Sequence, residues 1–161
     1  QLRLIYKTVG ACLSAFDSWL VIRGIKTLAL RMEQHQKNAI ALAEWLKQEP
    51  KVTKVLFPGL SEHPGYEVNK SQTTGFGGML SFEVDSEETA KQVLEGIQLI
   101  QFAESLGGTE SLLTYPVTQT HPDLKPEDAE RKGITRRLLR LSVGIEDTDD
   151  LIADLAQAFN K

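Results

Sequence analysis

An arginine in the middle of a strand-like run is the residue in this chain best placed to do chemistry. In RLLRLSVGIED, residues 137–147, side chains of an extended backbone alternate: Leu139, Leu141 and Val143 share one face, and Leu138, Arg140, Ser142 and Gly144 share the other. A guanidinium offers a planar fork that pairs with a carboxylate through parallel hydrogen bonds, and a serine hydroxyl or backbone amide completes a cradle for a small carboxylic acid. The polar stretch ESLGGTESLLTYPVTQTH, residues 104–121, supplies Ser105 as such a hydroxyl. An ordinary solvated strand has the same alternation. Spacing alone therefore leaves Arg140 facing either water or another domain.

Other constellations are weaker. Ser105, His121 and Asp123 contain the residue types of a hydrolytic triad, but no nucleophile elbow accompanies them. His35, His63 and His121 lack metal-ligand spacing, and His63 before Pro64 reads as a surface turn. Glu83 and Asp85 alternate on a strand and are expected to face solvent. GFGG, residues 75–78, has no following P-loop lysine and opens no helix. Cys12 is the single cysteine, which excludes an internal disulfide, and it reads as structural.

The elements that must position Arg140 follow from periodicity and turn chemistry. The 161 residues are 41% hydrophobic and 25% charged, as expected of one folded domain or a domain with an extension. Residues 15–48 are helical in pattern, as one long helix or two in line, with Ser14 or Asp17 as start cap, Gly24 permitting a bend and Pro50 marking the end. Strands are expected over 52–57, 79–84, 99–103 and 137–143, with a further short one suggested at 111–114. Helices are expected over 86–98, 125–133 and 147–159, and residues 57–66 have turn chemistry. This order implies an α+β fold: a small, mainly antiparallel sheet covered by helices on one face and preceded by a long linker helix. The division expected is an interdomain segment with the long helix over 1–50 and a small α+β domain over 51–161.

Eighteen Lys and Arg against 22 Asp and Glu give a net charge of -4, and the basic cluster Arg131, Lys132, Arg136 and Arg137 is offset by Glu127, Asp128 and Glu130. Nucleic acid is not the expected partner. No apolar run approaches the ~20 residues that cross a bilayer, so no membrane role and a cytoplasmic location are expected. A first residue of Gln1 suggests a piece of something longer.

Three ordered stretches, FDSWLVIRGIKTLALRMEQHQKNAIALAEWL, AESLGGTESLLTYPVTQTH and LRLSVGIEDTDDLIADL, together resemble the C-terminal part of the Cys/Met-metabolism enzymes dependent on pyridoxal 5'-phosphate (PLP). That family includes cystathionine γ-synthase, cystathionine β- and γ-lyases and homoserine sulfhydrylases. The resemblance implies the small C-terminal domain of a fold-type I PLP enzyme. It also implies that Arg140 binds the substrate α-carboxylate and that Ser105 helps orient that carboxylate and the reacting lysine. Glu104 joins the substrate-binding set, and Leu106 and Thr120, with His121 beside it, are loop contacts.

In this family the Schiff-base lysine and the large PLP-binding domain lie upstream of the stretch given, and Lys26 is not a substitute. The expectation is therefore no catalytic, cofactor-binding or metal residue here, and no activity from this chain alone. The resemblance further implies a homotetramer acting on an amino-acid substrate: O-acyl-homoserine, cysteine or cystathionine. Glu104 before Ser105, with TESLLTYPVTQTH, looks more like the γ-acting members. The reading is a cystathionine γ-synthase that joins cysteine to O-acyl-homoserine by γ-replacement, in the trans-sulfuration route of methionine biosynthesis. The alternatives are a γ- or β-lyase or sulfhydrylase of the same family, or a free-standing, non-catalytic module binding an amino acid or a protein.

Overall fold

The structure, a computed structural model, describes residues 2–10 and 13–161. Cys12, read above as structural, lies outside the described residues. The helices are α1 (Leu2–Val9), α2 (Ala15–Ile25), α3 (Leu28–Leu46), α4 (Tyr66–Gln72), α5 (Glu87–Gly96), α6 (Pro126–Arg131) and α7 (Thr148–Phe159). The strands are β1 (Val52–Leu56), β2 (Met79–Val84), β3 (Gln101–Phe102), β4 (Leu112–Thr114) and β5 (Leu138–Ser142). The chain forms two compact units, Gln1–Arg31 and Met32–Lys161.

In the first unit Ser14 caps α2, its hydroxyl accepting from the Asp17 amide at 3.1 Å. The helical run expected over 15–48 is two helices, interrupted at Lys26 and Thr27. The Gly24 carbonyl explains the break: it accepts from the Arg31 guanidinium at 2.7 Å and from the Thr27 amide, which closes a tighter turn.

The second unit holds a five-stranded sheet in the order β1-β2-β5-β4-β3. Every pair is antiparallel except β3 with β4. Strand β2 alternates as its sequence requires, burying Leu80, Phe82 and Val84. Across the ladder Phe82 stands opposite Leu139 and Leu80 opposite Leu141. These side chains pack with Leu42 and Leu46 of α3, Val93 of α5 and Leu151 and Leu155 of α7 in one apolar core. The expected α+β layering, helices over the Leu139, Leu141 and Val143 face, is the observed one. Each fully buried side chain of that size contributes about 1.5–3 kcal/mol by leaving water.

Helix starts follow their caps. Ser86 accepts from the Thr89 amide at 3.1 Å, and Asp147 accepts from the Asp149 and Asp150 amides. Helix α4 was not foreseen, because YEVNKSQ has no apolar period and its Gly65 cap offers no side chain. Glu83 departs from its solvent-facing expectation: its side chain is only 16% exposed and lies 3.7 Å from the Arg137 guanidinium.

Strand β3 is shorter than the expected 99–103 for a definite reason. The buried carboxylate of Asp154, on α7, accepts from the amides of Gln98, Leu99 and Ile100 at 2.8, 3.0 and 2.8 Å. Those amides are withdrawn from the ladder, and the start of β3 is tied to the helix. Hydrogen bonds to a charged group contribute more than neutral ones, and three buried amides lose their acceptor together if it is removed. Asp154→Ala is expected to destabilise the second unit by about 3 kcal/mol, read as a lower urea midpoint in far-UV circular dichroism. An unchanged midpoint would show that the carboxylate is not a structural tie.

Candidate functional site

Arg140 is the middle residue of β5, with Ser81 of β2 and Thr114 of β4 in register on either side. Its Nη2 donates to Thr114 Oγ1 at 3.2 Å and to the Glu104 carbonyl at 3.0 Å. Thr114 Oγ1 donates in turn to the Ala103 carbonyl at 2.8 Å. Arg140 Nε is buried with no hydrogen-bond partner among the described residues. Arg131, Arg136 and Arg137 each have a carboxylate partner, at 2.9, 3.0 and 3.7 Å, whereas no carboxylate lies within ion-pair distance of Arg140 among the described residues. A fork held in place by neutral acceptors but not neutralised keeps its affinity for an incoming anion.

The segment from Glu104 to Ser111 is fastened to the Arg140 side of β5 at several points. Ser142, two residues beyond Arg140, accepts from the Gly107 amide at 2.9 Å. Gly107 has φ +75, a conformation that favours glycine. Further along, the Ser111 amide and hydroxyl donate to the two oxygens of Glu146 at 2.6 and 2.9 Å, and the Gly144 amide donates to Ser111 Oγ at 2.8 Å. The Ile145 amide donates to the Thr109 carbonyl at 2.9 Å. Helix α3 holds the same turn from its other side: Asn38 Nδ2 donates to the carbonyls of Gly144 and Glu146, and buried His35 donates from Nδ1 to the Val143 carbonyl at 2.6 Å.

Of the expected site residues, Arg140 and the Glu104 loop come together, with Ser142 on the same face of β5 bonded to Gly107 of that loop. Glu104 meets Arg140 through its carbonyl rather than its carboxylate. Ser105 and Leu106 are exposed beside it. Thr120 does not bond to Arg140; its hydroxyl shares a hydrogen bond with His121 Nδ1 at 2.7 Å. His121 is therefore engaged by Thr120 and not by Ser105, and the triad is not assembled. His63 accepts from the Gly65 amide, as a turn residue does. The basic cluster is exposed as expected, with Arg136 on Glu87; that carboxyl is held below its ordinary range by hydrogen bonds from Lys91 and Arg136. Buried Tyr115, next to Thr114, has its hydroxyl pushed up by desolvation, and it donates to the Arg136 carbonyl at 2.8 Å.

Thr114, Ser111 and Glu146 escape a reading of the sequence because their roles depend on register. The one available signal is that the parity of Arg140, Ser142 and Gly144 extends to Glu146.

With this geometry in view, comparison places the chain in a family. The sequence model described as "Cys/Met metabolism PLP-dependent enzyme" matches residues 1–160. The chain belongs to that family. It is 52% identical over 159 residues to cystathionine γ-synthase of Haemophilus influenzae, covering 99% of this chain and 39% of that protein. It is 47% identical over 161 residues to cystathionine β-lyase MetC of Bacillus subtilis, covering 100% of this chain and 41% of that protein. The crystal structure of cystathionine γ-synthase from Xanthomonas oryzae pv. oryzae, in complex with aminoacrylate and cysteine, superposes with TM-score 0.89 at 42% identity, over 95% of this chain and 40% of that one. The fold is thus that of the fold-type I PLP enzymes, and the chain spans about two fifths of the length of these relatives.

PLP needs a lysine amine for its aldehyde and a cluster of donors for its phosphate. Around Arg140 stand hydroxyls, carbonyls and backbone amides, and no lysine amine bonds to them among the described residues. Lys47, Lys51, Lys91 and Lys161 are engaged elsewhere, by Glu62, the Phe159 carbonyl, Glu87 and the Gly96 carbonyl. The residues present fit a carboxylate and do not fit the cofactor.

The close approach at Gly144 is the most easily tested feature of this arrangement. A Cβ there would lie 2.5 Å from the Thr109 carbonyl oxygen and 2.6 Å from the Glu110 carbonyl carbon, both backbone atoms with little room to move. Gly144→Ala is expected to cost about 1–3 kcal/mol and to push residues 109–110 off the turn. Melting temperature, with a crystal structure of the variant, checks both; an undisplaced loop would contradict the packing described.

Proposed function

We propose that this chain is the C-terminal, substrate-carboxylate-binding portion of a PLP-dependent trans-sulfuration enzyme. Its reading as a cystathionine γ-synthase gives the reaction as γ-replacement of O-acyl-homoserine by cysteine. The observation that carries the proposal is the un-neutralised guanidinium of Arg140, held mid-strand by Thr114 and the Glu104 carbonyl beside the exposed Ser105. Arg140 takes the α-carboxylate of the amino-acid substrate, with Ser105 and Glu104 beside it and Leu106 and Thr120 as neighbouring loop contacts. PLP, which in this reading is carried by the cofactor domain of the whole protein, would supply the electron sink for breaking bonds at the amino-acid carbons. This chain's contribution is to hold the carboxylate so that the reacting bond keeps one orientation, a positioning effect that can be large.

The relative named cystathionine γ-synthase, at 52% identity, supports this reading, while relatives named cystathionine β- and γ-lyase, at 47% identity, support the lyase alternatives of the same family. In this reading residues 1–50 connect a cofactor-carrying domain to the small domain of residues 51–161. This chain alone is then inactive, and the whole protein is a cytoplasmic homotetramer in methionine biosynthesis. Full-length holoenzyme supplied with O-acyl-homoserine and cysteine is expected to form cystathionine. A protein that ignores O-acyl-homoserine but cleaves cystathionine would instead be a lyase of the same family.

Arg140→Ala in the full-length holoenzyme is expected to raise KM for the amino-acid substrate by the equivalent of ~2–5 kcal/mol, the loss from breaking one partner of a desolvated charge pair. The cofactor absorbance should stay nearly intact. Arg140→Lys should not restore KM fully, because an ammonium lacks the planar fork. An unchanged KM in the alanine variant would remove Arg140 from the carboxylate site.

A further inference from the structure

The segment carrying Ser105 has two attachments to β5 close to that residue, and they differ in what else they must do. One is the Glu104 carbonyl on Arg140 Nη2, at 3.0 Å. The other is the Gly107 amide on Ser142 Oγ, at 2.9 Å. Ser105 and Leu106 lie between these anchors, so the pair fixes where Ser105 stands relative to the guanidinium. If Arg140 is to engage a ligand, the bond to Glu104 competes with that task for the same fork. Ser142 has no such conflict. It is 2% exposed, and its hydroxyl oxygen accepts from the Gly107 amide, which gives both a partner among the described residues.

The fastening continues along the same parity of the chain. Glu146 takes the amide and hydroxyl of Ser111, and Gly144 admits the backbone of Thr109 and Glu110 at a distance no side chain allows. These outer contacts locate the far end of the segment and leave its near end to Ser142. We propose that Ser142 is a positioning residue: through Gly107 it sets the height of Ser105 over the sheet, so that Arg140 is released to bind the substrate carboxylate without losing the loop. The inference rests on the carboxylate-binding reading of Arg140 and adds a residue that acts through another and does not itself touch substrate.

The test uses full-length holoenzyme carrying Ser142→Ala, Ser142→Thr or Arg140→Ala, with whichever of O-acyl-homoserine or cystathionine the protein turns over. Two readouts are taken: steady-state kinetics, and hydrogen exchange of the peptide covering residues 104–110. Ser142→Ala is expected to raise KM about tenfold, with a smaller effect on kcat, and to speed exchange in that peptide by a similar factor, the scale of one lost hydrogen bond. The melting temperature monitors folding of each variant. Ser142→Thr, which keeps the hydroxyl, should restore protection and most of the KM.

Faster exchange with unchanged KM would make the contact merely structural and overturn the proposal. Unchanged exchange would overturn it as well. If Arg140→Ala raises KM while Ser142→Ala leaves it unmoved, only the positioning role falls. If Arg140→Ala leaves KM unmoved, the carboxylate reading falls and the positioning role falls with it.

Discussion

Strand β5 is hydrogen-bonded on both edges, to β2 and to β4, and this double pairing is the constraint on which the site depends. A strand so placed cannot rotate, and only its parity relative to the core is open. A slip of one residue would carry Arg140 into the layer of Leu42, Leu113 and Phe82 and put Leu139 and Leu141 outside it. Burying an unpaired guanidinium there would be prohibitive, since a charge removed from water needs partners that this layer does not contain. The apolar set therefore chooses the face for the arginine. Helices α3, α5 and α7 gather on one side as a consequence, and everything polar about β5 must be resolved on the other.

The two sides are stabilised by different physics. On the helix side the stabilising term is area removed from water, non-directional and tolerant of small shifts. On the Arg140 side it is a sequence of directional bonds, from Arg140, Ser142 and Glu146, that tie the segment from Glu104 to Ser111 at defined points. Directional contacts specify position more tightly than apolar ones, and they tolerate loss badly because each buried donor or acceptor then goes unmet. Gly107 with its positive φ and Gly144 with its close backbone approach are what let the segment follow such a path.

How legible this was depends on the kind of signal. Strands β2 and β5 and helices α5 and α7 could be read, because alternation, helical period and Ser86 or Asp147 caps are local. The helical run over 15–48 was visible, with two helices in line as one option and Gly24 as the place for a bend; the contact that closes the break, the Arg31 guanidinium reaching back to the Gly24 carbonyl, was not. Likewise β3 shortens because Asp154, far along the chain, takes its leading amides. Arg140 and the Glu104 loop were legible as residue types and through family resemblance. Thr114 and Glu146 were not, because cross-strand register is a property of the assembled sheet.

An arginine without a carboxylate partner among the described residues, in a half-covered position, is a cost to stability that a neutral residue would avoid. The structure limits that cost without cancelling it: one threonine hydroxyl and one carbonyl orient the guanidinium, and both are neutral. A resident aspartate would have neutralised the fork and removed its capacity to hold an anion. Placing the group on a central strand, rather than on the loop that passes over it, adds precision, because the backbone beneath Arg140 is fixed by two ladders and a packed core. The segment that passes over Arg140 is then located by its polar attachments, to Arg140 and Ser142 of β5 and to Glu146 beyond it.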